Sequence, residues 1–223
     1  MKKQLMAISA ILILAAGFAR PAVAQTTPAV TEAEKEAFYA TTIENRTQDI
    51  LKALNLTDEA KANAVHDAIV AQYHNLRVRD AAIDTRLEVD GKAVNYANRA
   101  AQLAIQSKPL HDQFMAKLSE NLTPEQVEQV KDLMTYNKVK VTYNAYCSII
   151  TGLTDEQKAK ILELLKAARE EAVDGGSAPE KSAIFQKYKD QINAYLDAQG
   201  YDTAKAFKDW IAKNPNTNNP VAK

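Results

Sequence analysis

The chain has 223 residues, with 28 basic and 28 acidic side chains, 46% hydrophobic residues, six Gly, seven Pro and a single Cys. That charge balance excludes the basic face a nucleic-acid binder needs and gives no electrostatic drive toward anionic lipid. Cys147 has no partner for an internal disulfide, so the fold must be held by its core.

Taken in chain order, the first segment reads as a leader. Lys2 and Lys3 precede an apolar run from Leu5 to Phe18, and Ala22-Val23-Ala24 offers the small-x-small pattern of a signal-peptidase site. The run is shorter than the ~20 residues a membrane helix needs, so no stable membrane insertion is expected once it is removed. Residues 1–24 are therefore expected to be a signal peptide, and the mature protein, starting at Gln25, to be exported to the periplasm or the outside. Without Lys2, Lys3 and Arg20 the 28 basic side chains fall to 25 against 28 acidic ones, a mildly acidic balance.

Residues 25–213 read as a single all-helical domain. Few Gly and Pro with abundant Ala, Glu, Lys and Gln make a helix-forming composition. Thr31 with Glu34 forms a capping box that opens a helix running to about Leu54. Thr57 opens a second, whose stripe is Val65, Ile69, Tyr73, Leu76, Asp80, Ile83 and Leu87, at alternating steps of four and three. Asp90-Gly91 stops it. A third helix carries Ala93, Ala97, Ala100, Ala101 and Ala104, small side chains that let a neighbour approach, and Pro109 is expected to kink or divide it before Leu110, Phe114 and Leu118.

Thr123-Pro124-Glu125-Gln126 caps the fourth helix, with Val127, Val130, Leu133 and Met134 inward. The period breaks from Thr135 to Lys140, then resumes at Val141, Ala145 and Ile149. Thr154 to Gln157 caps the next helix, with Ile161, Leu164, Leu165, Ala168 and Ala172 inward, and Asp174-Gly175-Gly176 ends it. Ser177 with Glu180 caps another, which buries Phe185, Tyr188, Ile192, Tyr195 and Leu196 and ends at Gly200. A short last helix places Ala204, Phe207, Trp210 and Ile211 on one side, and residues 214–223 form a polar tail expected to be disordered. The class is all-α: a bundle or array of about seven to eight helices with no regular sheet, Val139-Lys140-Val141 being too short an alternation for a strand.

No motif with a catalytic mechanism is present, so an enzyme is not expected. His66 and His74, eight residues apart on one helix, are ~12 Å apart along its axis and cannot grip one ion, and His111 beside Asp112 reads as a surface pair. No metal site and no cofactor are expected. Cys147, beside Ile149 and Ile150, reads as a structural thiol. Asp80 falls on an apolar stripe, where an unpaired carboxylate costs several kcal/mol, so an ion pair is expected, with Arg169 or Arg99. The segments Thr135-Tyr136-Asn137 and Thr142-Tyr143-Asn144-Ala145-Tyr146 carry what a sugar site uses: aromatic faces for C–H patches, amides and hydroxyls for sugar hydroxyls. Packing between helices is the alternative for the same tyrosines. The expected ligand-binding set is Tyr136, Asn137, Tyr143 and Tyr146, with Tyr201 and Trp210 from the last helix.

The second half resembles a family of exported bacterial proteins described in general terms as sugar-binding. The residues that carry the likeness are Leu122 to Val127, Met134-Thr135-Tyr136-Asn137, Val141 to Tyr146, Gly152 to Lys158, Ala168 to Ala172, Lys187-Tyr188-Lys189, Ile192-Asn193, Tyr195-Leu196, Gly200-Tyr201-Asp202 and Trp210. Residues 31–120 match loosely, around Tyr73, Leu76 and Asp80. The resemblance implies a non-enzymatic carbohydrate-binding accessory protein with an oligo- or polysaccharide as partner; it says nothing of oligomeric state. A second likeness is to small periplasmic helical chaperones or scaffolds that carry Leu-Thr-x-x-Gln repeats. Two copies fit here, at Leu122 and Leu153, and the one at Leu56 departs with Ala60 in the last position.

Overall fold

The computed structural model describes residues 31–87 and 96–215. The expected leader, the Asp90-Gly91 stop and the tail from 216 onward lie outside the described residues. Eight helices follow one another: α1 (Glu32–Leu54), α2 (Glu59–Leu87), α3 (Tyr96–Ser119), α4 (Pro124–Met134), α5 (Lys138–Ile149), α6 (Asp155–Ala172), α7 (Ala178–Ala198) and α8 (Thr203–Lys213), with no strand among the described residues.

The helix starts are held by their caps. Thr31/Glu34, Thr123/Gln126 and Thr154/Gln157 each form the full reciprocal box, satisfying two of the amides that a helix start leaves open. One start differs from expectation. α2 is capped by Asp58, whose carboxylate accepts from the Lys61 N–H, rather than by Thr57. At α7 Ser177 accepts from the Glu180 N–H, but the Glu180 carboxylate reaches past the cap to the Gly176 N–H at 3.0 Å.

Pro109 does not divide α3. It is exposed, and so is Ile105, whose carbonyl loses the Pro109 donor. On the solvent side water can satisfy that carbonyl, so the proline costs a hydrogen bond without ending the helix. The alanines of α3 also serve differently from expectation: Ala100, Ala101 and Ala104 are exposed and admit no neighbouring helix.

The packing forms two cores in sequence. The first joins Ile43, Ile50 and Leu54 of α1 with Val65, Ile69 and Tyr73 of α2, Phe114 and Leu118 of α3, and Val127, Val130 and Met134 of α4. The second joins Tyr146 and Ile149 of α5, Ile161 and Leu165 of α6, and Phe185, Ile192 and Leu196 of α7, with Phe207 and Trp210 of α8 packed against it. In α8, Ala204 and Ile211 face solvent rather than the core.

Two features tie the cores together. Val173, just past α6, is buried in the first core. Arg169 of α6 is 3% exposed and bonds Asp132 of α4 at 2.8 Å, Glu170 at 3.0 Å and Glu128, while Lys131 of α4 bonds Glu170 at 2.9 Å. Burial pulls the Arg169 guanidinium down, but the hydrogen bonds it donates to Asp132 and Glu128 hold it well above its ordinary value. The expected Asp80–Arg169 pair is absent, because Arg169 points across to α4.

Candidate functional site

The break between α4 and α5 is shorter than its sequence suggests, covering Thr135 to Asn137. It is a Schellman closure: the Asn137 N–H donates to Asp132 O at 2.8 Å and the Tyr136 N–H to Leu133 O at 3.1 Å. The same closure ends α7, where Tyr201 N–H meets Leu196 O and Gly200 N–H meets Asp197 O. Gly200 takes the left-handed position there at φ 90°, whereas at the first turn Tyr136 takes it at φ 60° and Asn137 follows at 53°. A left-handed non-glycine residue stores roughly 1 kcal/mol or more.

The six expected ligand-binding residues do not form one surface. Tyr136 and Asn137 are exposed, with the Arg46 guanidinium 5.6 Å from the Tyr136 ring centre. Tyr146 is fully buried: its hydroxyl donates to Asn193 Oδ1 at 2.7 Å, and its ring meets Phe207 edge-on at 5.5 Å. Burial pushes that phenol far up, as it pushes Tyr73 up to about 12. Tyr143 and Trp210 are half-buried against the second core. The Tyr201 hydroxyl lies 2.9 Å from Gln157 Oε1 and 3.0 Å from Gly152 O. Tyr146 and Tyr201 thus have their polar ends committed within the protein.

A different set of residues converges on a cleft of about 630 Å³ between α3 and the α6–α7 turn. Its apolar floor is Leu103 and Ala104 of α3 with Ala183 and Ile184 of α7. The exposed alanines of α3 find their use here, since Ala100 and Ala104 leave the space open. Charged pairs flank the floor: Lys108 with Asp112 at 2.7 Å, and Lys187 with Glu171 at 2.6 Å, the latter also bonded by the Tyr188 hydroxyl.

Behind the floor is a polar wall. Buried Gln72 of α2 donates to Asp174 Oδ1 at 3.2 Å, and His111 Nδ1 lies 2.9 Å from Asp174 Oδ2. An ionised carboxylate only accepts, so the proton is on Nδ1, and Nε2 is the ring nitrogen with no protein partner among the described residues. The hydrogen bond to Asp174 raises the His111 pKa, against burial, and the charges of Asp174, Glu170 and Asp112 add to it.

Asp174 is held in place by its own turn. Buried Lys181 donates to Ala172 O at 2.9 Å and Val173 O at 3.1 Å, closing the C-terminus of α6, and burial lowers its amine to about 8. Gly176 lies directly on Asp80, where any Cβ would collide with Oδ2. Asp80 is paired with its chain neighbour: Arg79 Nη2 bonds Asp80 Oδ1 at 2.7 Å, and Arg79 Nη1 bonds Ser107 Oγ at 2.9 Å. Arg99, the other expected partner, goes to Asp84 at 2.7 Å and lies 3.9 Å from Glu180. Glu180 is half-buried in the cleft wall, and burial, then the Asp80 charge, raises its carboxyl.

Sequence reasoning missed this cleft because its parts looked like punctuation. Asp174-Gly175-Gly176 reads as a helix stop, and His111 reads as the neighbour of Asp112 rather than of a carboxylate 63 residues away. The one available signal was Asp80, a carboxylate on an apolar stripe; it marks the place where the Gly176 turn docks. Among the described residues no group of three or more His, Cys, Asp or Glu is placed to hold a metal ion, and no helix is long and apolar enough to cross a membrane.

The protein is all-helical among the described residues, with a half-open, polar-walled cleft between α3 and the α6–α7 turn. The chain belongs to the family described as "Protein of unknown function (DUF3826)", whose pattern matches residues 40–215. No curated protein matches the sequence.

Proposed function

We propose that the protein is an exported carbohydrate-binding protein, and that its ligand site is the cleft between α3 and the α6–α7 turn. The observation that carries this reading is the make-up of the cleft, an apolar floor flanked by side chains of both signs. A saccharide has the matching surface, with C–H faces for Leu103 and Ile184 and hydroxyls that donate to carboxylates and accept from Lys, Arg or His⁺. The volume, about 630 Å³, lies within the range of small-molecule sites. The cleft is open on one side and its charges are already paired, so affinity is modest, on the order of 10 µM to 1 mM. Export rests on the reading of residues 1–24, and intact mass of protein from the exported fraction checks it; a chain that keeps those residues overturns it.

Calorimetry or ligand-observed NMR against a panel of plant and bacterial oligosaccharides tests the site. Ala104→Trp, at an exposed helix position on the floor, is expected to weaken binding at least tenfold by filling the cleft, while Tyr136→Ala leaves it unchanged. The reverse result moves the site to the α4–α5 turn. If no glycan binds and the protein instead keeps unfolded clients soluble, it acts as a helical chaperone.

A further inference from the structure

We propose that the cleft is also a reaction site, in which His111 Nε2 takes the proton from a water molecule that attacks the acyl carbon of an O-acylated saccharide, with Asp174 and Gln72 as positioning residues. This rests on the cleft being the saccharide site.

The arrangement has the parts that general-base hydrolysis needs, held by two helices, α2 and α3, and the α6–α7 turn. His111 lines the cleft, its Nδ1 is fixed by Asp174 at 2.9 Å, and Asp174 is fixed in turn by the buried amide of Gln72 at 3.2 Å. A carboxylate on Nδ1 sets the tautomer, so the neutral ring presents a lone pair at Nε2, and it stabilises the imidazolium that forms when Nε2 accepts a proton. Hydrogen bonding to Asp174 places the His111 pKa above its ordinary value, which makes neutral Nε2 a stronger base. A purely structural staple between α2 and the α6–α7 turn would be complete with Gln72 and Asp174 alone.

The other groups of the cleft select the reaction. Cleavage of a glycosidic bond calls for two carboxyl groups facing each other across the bond, one of them free to give a proton. Here Asp112, Glu171 and Glu170 are tied to Lys108, Lys187 and Lys131, and Glu180 to the Gly176 N–H. An acyl ester needs only one base. The water oxygen bonds to the acyl carbon as its proton goes to Nε2. The acyl C–O bond then breaks, and Nε2–H returns that proton to the departing sugar oxygen. One water is consumed, one carboxylic acid and one sugar hydroxyl are formed, and His111 ends as it began. Lys108, about one turn before His111 and so about 4.5 Å along the α3 axis, is a cation on the same rim of the cleft.

The test uses the full protein with two probes, 4-nitrophenyl acetate and peracetylated cellobiose, following nitrophenolate and acetate release from pH 5 to 9. Wild type is expected to exceed free imidazole at equal concentration, with a rate that rises through the His111 titration. His111→Gln is expected to lower kcat/KM by ~10²–10⁴-fold. Asp174→Asn is expected to lower it and move the pH limb toward acid, since the imidazolium loses its carboxylate. His74→Gln, on the exposed side of α2, keeps the wild-type rate. No turnover by wild type, or equal turnover by a folded His111→Gln, overturns the proposal. Saccharide binding without turnover overturns this step alone, and absence of both overturns the binding reading with it.

Discussion

Tyr136 and Gly200 occupy the same left-handed position in two copies of one closing motif, and they separate backbone cost from side-chain benefit. Nothing lies within 4 Å of where a Gly200 Cβ would be, so Gly200→Ala should lose about 1 kcal/mol on conformation alone. Tyr136→Gly should gain a similar amount at the backbone, less the ~0.5–1 kcal/mol of the Arg46 contact. Denaturant melts of both variants check the pair, and a strongly destabilised Tyr136→Gly would mean the ring is needed for packing. His111 and Lys181 have opposite pH signatures. The raised His111 pKa contributes stability that is full below about pH 6.5 and lost as pH rises through the folded value. Lys181, lowered to about 8, is costly when charged, and the cost is relieved as pH rises from about 8 toward 10.4. Stability should therefore fall as pH rises above about 6.5 and recover above about pH 8. His111→Gln should shrink the falling limb, to which His66 also contributes, and Lys181→Met the rising one, to which Lys138 and Lys189 contribute. A monotonic profile unaffected by either substitution would contradict this.

At the scale of elements, the α4–α6 contact depends on charge more than on apolar area. Arg169→Ala strands Asp132 and Glu128, but both are exposed enough for water to reach them, so the loss should be about 2 kcal/mol rather than the 3–5 of a fully buried pair. Chemical denaturation measures it. Arg169→Lys should recover only part, since an ammonium cannot match the guanidinium's spread of donors. The α6–α7 turn is fixed the opposite way, by shape. Gly176→Ala drives a methyl into Asp80 and should cost ~1–3 kcal/mol or displace the turn. Because Asp174 sits in that turn, ligand binding in the cleft should fall with it.

At the scale of the molecule, two cores in sequence raise the question of whether the halves unfold separately. Val173 inserted in the first core and Arg169 clamped to α4 bind α6 to both, so one cooperative transition is expected. Leu76→Ala in α2 and Leu165→Ala in α6, both fully buried, should each lower that single transition by the equivalent of ~2–5 kcal/mol. Two calorimetric peaks, with each variant moving only one, would make the halves independent.

The helical class, the element order, most boundaries and the three Thr-anchored caps were legible in the sequence because they depend on contacts within about four residues. Helical stripes also marked the core positions, with errors where a face met solvent instead of a partner, as at Ala104 and Ile211. What surrounds Asp80, where His111 points and which tyrosines are spent on the core depend on residues brought together from far along the chain. Local pattern does not encode those meetings: Gln72 lies on α2, His111 on α3 and Asp174 in the α6–α7 turn, and only tertiary packing brings both side chains to the Asp174 carboxylate. The sequence by itself determined an all-helical chain with capped helices and amphipathic faces. The tertiary structure decided where that chain leaves a cleft, because a cleft is made of the space that packing does not fill.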